Sequence, residues 1–306
     1  MPKPKKAKRW RRRLALTAIV LCLLVAGVEV GLRLIGCALY RPIRHDLATV
    51  PKAGADEFVM LCVGDSHTYG VDAPSGLSYP SQLANLLNRS DKQRRYRVIN
   101  YGVPGANSSQ ALRRLRELYA NGSTKPAMVI VNVGKNNDHN FQEARFWLDE
   151  RMKSAPVHAQ LEYLLQHAKV YRLGEIAMRN LREKLAASTA GADKYLLDEP
   201  SLLAAWLHQD YRAMIELVRA NQGRVLLLNY FMPVAYVDRA MTAVAAETGV
   251  PLVDVVWFRL PPIAIRSLVG PTAHPNELGY AAIARFVLTG LEQNNLLDEP
   301  PRSDKP

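Results

Sequence analysis

A serine, an asparagine and a histidine stand just past the ends of three apolar runs. Ser66 follows "FVMLCVG" in "GDSH", Asn136 lies in "GKNNDHN" after "PAMVIVN", and His274 lies in "PTAHPNELG", downstream of "VPLVDVV". A serine hydroxyl becomes a nucleophile when a neighbouring base takes its proton, and histidine is the usual base. Attack on an acyl carbon places negative charge on the carbonyl oxygen, which then needs donors aimed at it. The Asn136 side chain carries such a donor. Glycines such as Gly102 and Gly105, in "GVPGANSS" after the run "YRVINY", allow a backbone N–H to come close. Each residue also has a plainer reading: Ser66 as a turn cap, His274 as a histidine flanking a helix, Gly102 as a turn glycine, Asn137 and Asp138 as loop-ordering residues, Asp65 as a brace. The chemistry rests on four polar clusters recurring at strand ends.

The elements that must bring these clusters together are readable as an alternation. "EFVMLCVG", "YRVINYGV", "PAMVIVNVG", "RVLLLNY" and "VPLVDVV" read as five buried strands. "SYPSQLANLLNRS" has a helical apolar face. "NSSQALRRLRELYANG" opens on a capping Asn or Ser and closes on Gly122. "PVAYVDRAMTAVAAETG" stops at Gly249, and "PNELGYAAIARFVLTGLEQNN" begins at Pro275. Alternating strands and helices imply a parallel sheet covered on both faces, with function gathered at the carboxyl ends of the strands. Residues from about 140 to 222 read as helices throughout, hence as a helical insertion between strands three and four with a joint "TAGADKYLLDEP" inside it. Residues 41–56, with Pro42, Pro51 and Gly54, read as a linker, and 296–306 as a disordered tail. The main domain is then 57–295.

The four blocks resemble those of the SGNH (GDSL-type) hydrolases. "GDSHTYG" is similar to that family's first block, "VINYGVPGANSS" to its second, "VNVGKNND" to its third and "AHPNELGY" to its fifth. The resemblance spans about 57–139 and 223–291. It implies an α/β, three-layer flavodoxin-like fold and ester hydrolysis or acyl transfer through a seryl ester. It also implies Ser66 as nucleophile, His274 as base, and an oxyanion hole of Ser66, Gly105 and Asn136. One position departs from the family pattern: where an aspartate is expected three residues before the histidine, this chain has Pro271. Losing a triad acid costs up to about 10⁴ in rate. Either a backbone carbonyl orients His274 in a Ser–His dyad, or another acid such as Asp254 or Asp65 substitutes, or the site is weak.

Composition narrows the setting. The chain has 306 residues and a net charge of +12, but eight cations between Lys3 and Arg13 leave only +4 beyond them. The body is therefore not read as a nucleic-acid binder. The basic tail 1–13 precedes an uncharged run, Leu14 to Val28, and apolar character continues past Glu29 and Arg33 to Tyr40. Residues 14–40 read as a transmembrane signal anchor in the inner membrane, basic end in the cytoplasm, with the body facing the periplasm or exterior. A lipoprotein signal ending at Cys37 and a cleaved signal are the competing readings. Three cysteines without a Cys-x-x-C pattern argue against a disulfide framework or zinc site. His67, Asp138 and His139 lie on two loops without ligand spacing, so no metal or other cofactor is expected. The arginines of "ALRRLRELY" read as a solvated helix face. The functional expectation is a membrane-anchored serine esterase acting on an ester-bearing envelope or extracellular glycan, or on a small ester. The alternatives are an O-acyltransferase and a weakly catalytic binding module for envelope protein partners.

Overall fold

The computed structural model describes residues 5–48, 57–122, 125–141, 143, 157–174, 177–178, 200–255 and 262–298. The joint expected at 189–200, apart from Pro200, and most of "FQEARFWLDERM" lie outside these residues. The chain divides into two compact units, 1–46 with 160–193, and 47–159 with 194–306.

In the first unit a single helix, α1 (Lys5–Ala48), carries an apolar stretch, Arg9–Ala38, long enough to cross a membrane and unburied along its length. Glu29 and Arg33 pair at 2.6 Å, one helical turn apart. They also hold a second segment: Glu29 Oε2 accepts the Val170 N–H at 3.0 Å, and Arg33 donates to the His167 carbonyl at 3.0 Å. The linker expected from residue 41 instead begins inside the helix. Pro42, one of the residues on which the linker reading rests, lacks a backbone donor but does not end α1.

The second unit holds the sheet. Its strands are β1 (Glu57–Gly64), β2 (Arg95–Gly102), β3 (Met128–Asn132), β4 (Arg224–Leu228) and β5 (Leu252–Val253). They lie in the order β2-β1-β3-β4-β5, and every adjacent pair is parallel. This is a doubly wound, flavodoxin-like sheet. In chain order its helices are α2 (Ser66–Tyr69), α3 (Tyr79–Ser90), α4 (Ser108–Ala120), α6 (Pro200–Ala220), α7 (Ala235–Thr248), α8 (Pro262–Leu268) and α9 (Glu277–Gln293); α5 (Val157–Gln166) falls across the unit boundary.

Alternate strand residues feed the two faces. Leu61, Val63, Val129, Val131, Val225 and Leu227 pack with α4, α6 and α7. Met60, Cys62, Met128, Ile130, Leu226 and Leu228 pack with α3 and α9. Because both faces are covered, every residue of β3 is buried, which is why the strands read as continuous apolar runs. Cys62 is a free thiol in this core, and burial pushes it up to about 12. Helix α6 ends the segment read as an insertion, yet Leu207, Tyr211, Met214 and Val218 place it in the layer on the sheet.

The tail also starts later than residue 296. Leu296 is buried in the second core cluster, Arg94 donates to the Leu297 carbonyl at 2.5 Å, and Arg224 donates to the carbonyl of Asp298. Two apolar side chains and two arginines thus tie down 296–298.

Candidate active site

Strand β1 ends at Gly64, opposite Gly102 of β2 and Asn132 of β3. The one-turn helix α2 then settles directly on these strand ends. A Cβ at Gly64 would stand 1.9 Å from Thr68 Oγ1, and one at Gly102 would stand 2.3 Å from the Tyr69 nitrogen. Only glycines leave that space. Asp65, fully buried, caps α2 by accepting the His67 N–H at 2.9 Å. Ser66, the first residue of the turn, is thereby held at the sheet edge.

His274 comes from a tight loop before α9. Val269 and Pro275 form an antiparallel bridge, and the Gly270 N–H donates to the His274 carbonyl at 2.7 Å. The loop brings His274 Nε2 to 2.8 Å from Ser66 Oγ. On the far side of the ring, Nδ1 lies 3.0 Å from the Thr272 carbonyl and 2.9 Å from Thr272 Oγ1. A carbonyl oxygen can only accept, so Nδ1 carries the proton and Nε2 is free to accept from the serine.

The site contains a carboxylate that the sequence reading passed over. Asp72, on the loop after α2, accepts from the Thr272 N–H at 2.8 Å, the Thr272 hydroxyl at 2.7 Å and the His274 N–H at 3.3 Å, all through Oδ2. Burial works against its charge, but these bonds and the His274 imidazole win and lower its pKa. The two acids considered from sequence lie elsewhere. Asp254 is exposed just past β5 and accepts from Asn229; it makes no bond to His274. Asp65 braces the Ser66 turn: its Oδ2 accepts from the Tyr230 hydroxyl at 2.5 Å and from Asn136 Nδ2 at 3.4 Å.

The remaining clusters meet here as well. Gly105 is exposed, with φ of 74°, a left-handed conformation that favours glycine. Its carbonyl is held by Asn140 Nδ2 at 2.7 Å. Asn136, in a tight turn spanning Lys135–Asp138, donates to the Ala106 carbonyl at 3.0 Å. Asn137 is buried and turned to Ser108, accepting its N–H at 3.0 Å and donating to its hydroxyl at 2.7 Å. Asn136 therefore faces the loops of Ala106 and Asp65, and Asn137 anchors the start of α4. Among the described residues no protein acceptor takes the N–H of Ser66 or Gly105.

Two further residues frame the site. Tyr230, two residues past the end of β4, accepts the Lys135 N–H at 3.1 Å while donating to Asp65, so it ties the Ser66 turn to the Lys135–Asp138 turn. The strand-end rule that selected the other clusters could have found it, since "NYF" follows β4. His67 is buried, with its ring 4.8 Å from that of His274 and 4.8 Å from that of Tyr230. Burial lowers the pKa of His274. The neighbouring His67 and Lys135 act in the same direction, while the Thr272 carbonyl and Asp72 oppose it. Asp138 and His139 pair with each other at 2.5 Å. Among the described residues no group of three or more His, Cys, Asp or Glu side chains is placed to hold a metal.

A strand-end serine bonded to a histidine, on a doubly wound sheet, defines a serine hydrolase. The model of the GDSL-like lipase/acylhydrolase family matches residues 62–282, and the chain belongs to that family. A curated relative, the uncharacterized protein YpmR of Bacillus subtilis (strain 168), is 36% identical over 84 residues; the match covers 27% of this chain and 32% of that protein. Among solved structures, TesA is similar with a TM-score of 0.48 and 20% identity, over 78% of this chain and 99% of its own. The esterase EstA from Pseudoalteromonas sp. has a TM-score of 0.47 and 15% identity, over 78% and 98%. The two-domain esterase CEX, active on acetylated mannans, has a TM-score of 0.46 and 16% identity, over 88% and 56%.

Proposed function

We propose that the chain is a membrane-anchored esterase that cleaves an acyl ester through a Ser66 acyl intermediate. The observation that carries this reading is the 2.8 Å bond from Ser66 Oγ to a His274 imidazole whose other nitrogen is occupied by Thr272. In the acylation step the Ser66 proton passes to His274 Nε2 as Oγ bonds to the acyl carbon. The oxyanion takes up the N–H groups of Ser66 and Gly105 and the Asn136 amide. Asn136 releases its longer contact, that to Asp65 at 3.4 Å, to serve this role. The imidazolium then protonates the departing alkoxide. Water then attacks the acyl carbon as its proton passes to His274, and the imidazolium returns that proton to Ser66 Oγ as the C–Oγ bond breaks, releasing the acid and free Ser66.

Helix α1 anchors the protein in the cytoplasmic membrane, with the basic tail inside and the body outside. The support is its unburied apolar stretch and the cations before it. A body in that location meets acylated glycans of the envelope or exterior, and acetyl esters of such glycans are the substrate class we assign. Purified full-length protein in detergent should release acetate from aryl acetates and from acetylated polysaccharide, and Ser66→Ala protein should release none above background. Equal release by both proteins would exclude Ser66 as the nucleophile.

A further inference from the structure

We propose that Asp72, acting through the Thr272 hydroxyl, is the positioning carboxylate of the Ser66–His274 pair, taking over from the loop after α2 the task that no acid at position 271 performs. The inference rests on the assignment of Ser66 and His274 above.

Hydrogen-bond bookkeeping fixes the direction of the relay. An ionised carboxylate only accepts, so the 2.7 Å contact between Thr272 Oγ1 and Asp72 Oδ2 uses the threonine proton. Oγ1 then has only lone pairs to offer, and at 2.9 Å they face His274 Nδ1. The Nδ1–H is therefore shared between the Thr272 carbonyl and hydroxyl, the latter polarised by an anion. When Nε2 takes the Ser66 proton, the imidazolium charge is stabilised through this chain while the proton on Nδ1 stays in place. Asp72 is not protonated in the cycle. A triad acid meets its histidine directly; here one hydroxyl stands between.

The surrounding backbone is shaped to the same end. Asp72 and Ala273 hold positive φ angles of 69° and 60°, sparsely populated for residues with a side chain and found where surrounding structure imposes them. A Cβ at Gly270 would stand 2.5 Å from Asp72 Cβ and 2.8 Å from its Oδ2. Glycine at that position is what lets the carboxylate reach the loop. The other charges acting on the imidazole, His67 and Lys135, are cationic when protonated and oppose its protonation. Among the described residues, Asp72 is the carboxylate that bonds the loop carrying it.

The test is kcat/KM against pH with an aryl acetate, for wild type, Asp72→Asn, Thr272→Val and Thr272→Ser. Replacing a directly bonded triad acid costs up to about 10⁴. With the Thr272 carbonyl still in place, we expect a loss of about 10- to 100-fold in kcat for Asp72→Asn and Thr272→Val, with KM nearly unchanged. Removing the anion should also move the acidic limb of Asp72→Asn to lower pH. Thr272→Ser keeps the hydroxyl and should restore the rate. Wild-type rate and limb in both Asp72→Asn and Thr272→Val would overturn the proposal. So would a rate loss in Thr272→Val that Thr272→Ser shares, because the loop alone would then be responsible. If Asp72→Asn does not fold, the Thr272 pair decides, since it leaves the backbone bonds to Asp72 intact. Wild-type protein that fails to react with a fluorophosphonate would defeat the Ser–His assignment itself, an outcome separate from a reactive wild type with indifferent variants.

Discussion

Ser66 and His274 meet at 2.8 Å from opposite kinds of scaffold. The serine sits on a helical turn laid on two strand-end glycines, above β1, whose apolar residues are buried on both faces. Its neighbours Asp65, His67 and Thr68 are all buried. The histidine sits on a partly exposed loop, fixed by a short bridge and by polar bonds from Thr272 and Asp72. One arm takes its position from core packing, the other from hydrogen bonds between two surface loops. Errors in the first arm should therefore appear mainly as lost stability, and errors in the second mainly as lost rate.

The sharpest way to break that contrast is a matched pair of glycine substitutions. Gly64→Ala puts a methyl 1.9 Å from Thr68 Oγ1 and 2.4 Å from the Asn132 carbonyl, in a packed interior. We expect a loss of about 3 kcal/mol in unfolding free energy, read by chemical denaturation. The three atoms nearest a Gly270→Ala methyl all belong to the Asp72 side chain, on a partly exposed loop. We expect activity to fall about tenfold while stability falls by less than about 1 kcal/mol. Equal stability losses in the two variants would erase the distinction.

The smallest effect is a displaced pH profile. Burial, with His67 and Lys135 close by, lowers the pKa of His274 in the folded protein. The free imidazole is the base, so kcat/KM should rise with pH as the proton leaves. Because the folded value is lowered, that rise should be centred below the ordinary histidine value of about 6.5. A limb centred above it would mean that the loop holds the imidazolium more strongly than its surroundings imply.

Much of the sheet was legible because a doubly covered parallel strand is apolar at every position and stops at glycine, as "EFVMLCVG" does. The site clusters were legible for a related reason: polar residues after such runs have one place to go, the carboxyl edge. What was hidden depended on contacts distant in sequence. Asp72 and Thr272 lie 200 residues apart, and nothing in "GVDAP" marks its aspartate as the partner of that loop. Only its left-handed backbone, which aspartate tolerates better than most residues, hints at a special position. Tyr230 was missed although it follows β4 as the other clusters follow their strands. Leu296 and Leu297 were read with the charged tail that follows them, yet they pack in the core. Helix α6 was grouped with its helical neighbours because periodicity identifies a helix but not the layer it joins.

The central claim is that Ser66 is a nucleophile activated by His274. Intact-protein mass spectrometry after exposure to a fluorophosphonate tests it directly. One phosphonyl adduct per chain is expected, mapped to Ser66, absent from Ser66→Ala and strongly slowed in His274→Ala. An unmodified wild-type protein, or an adduct on another residue that survives Ser66→Ala, would contradict it.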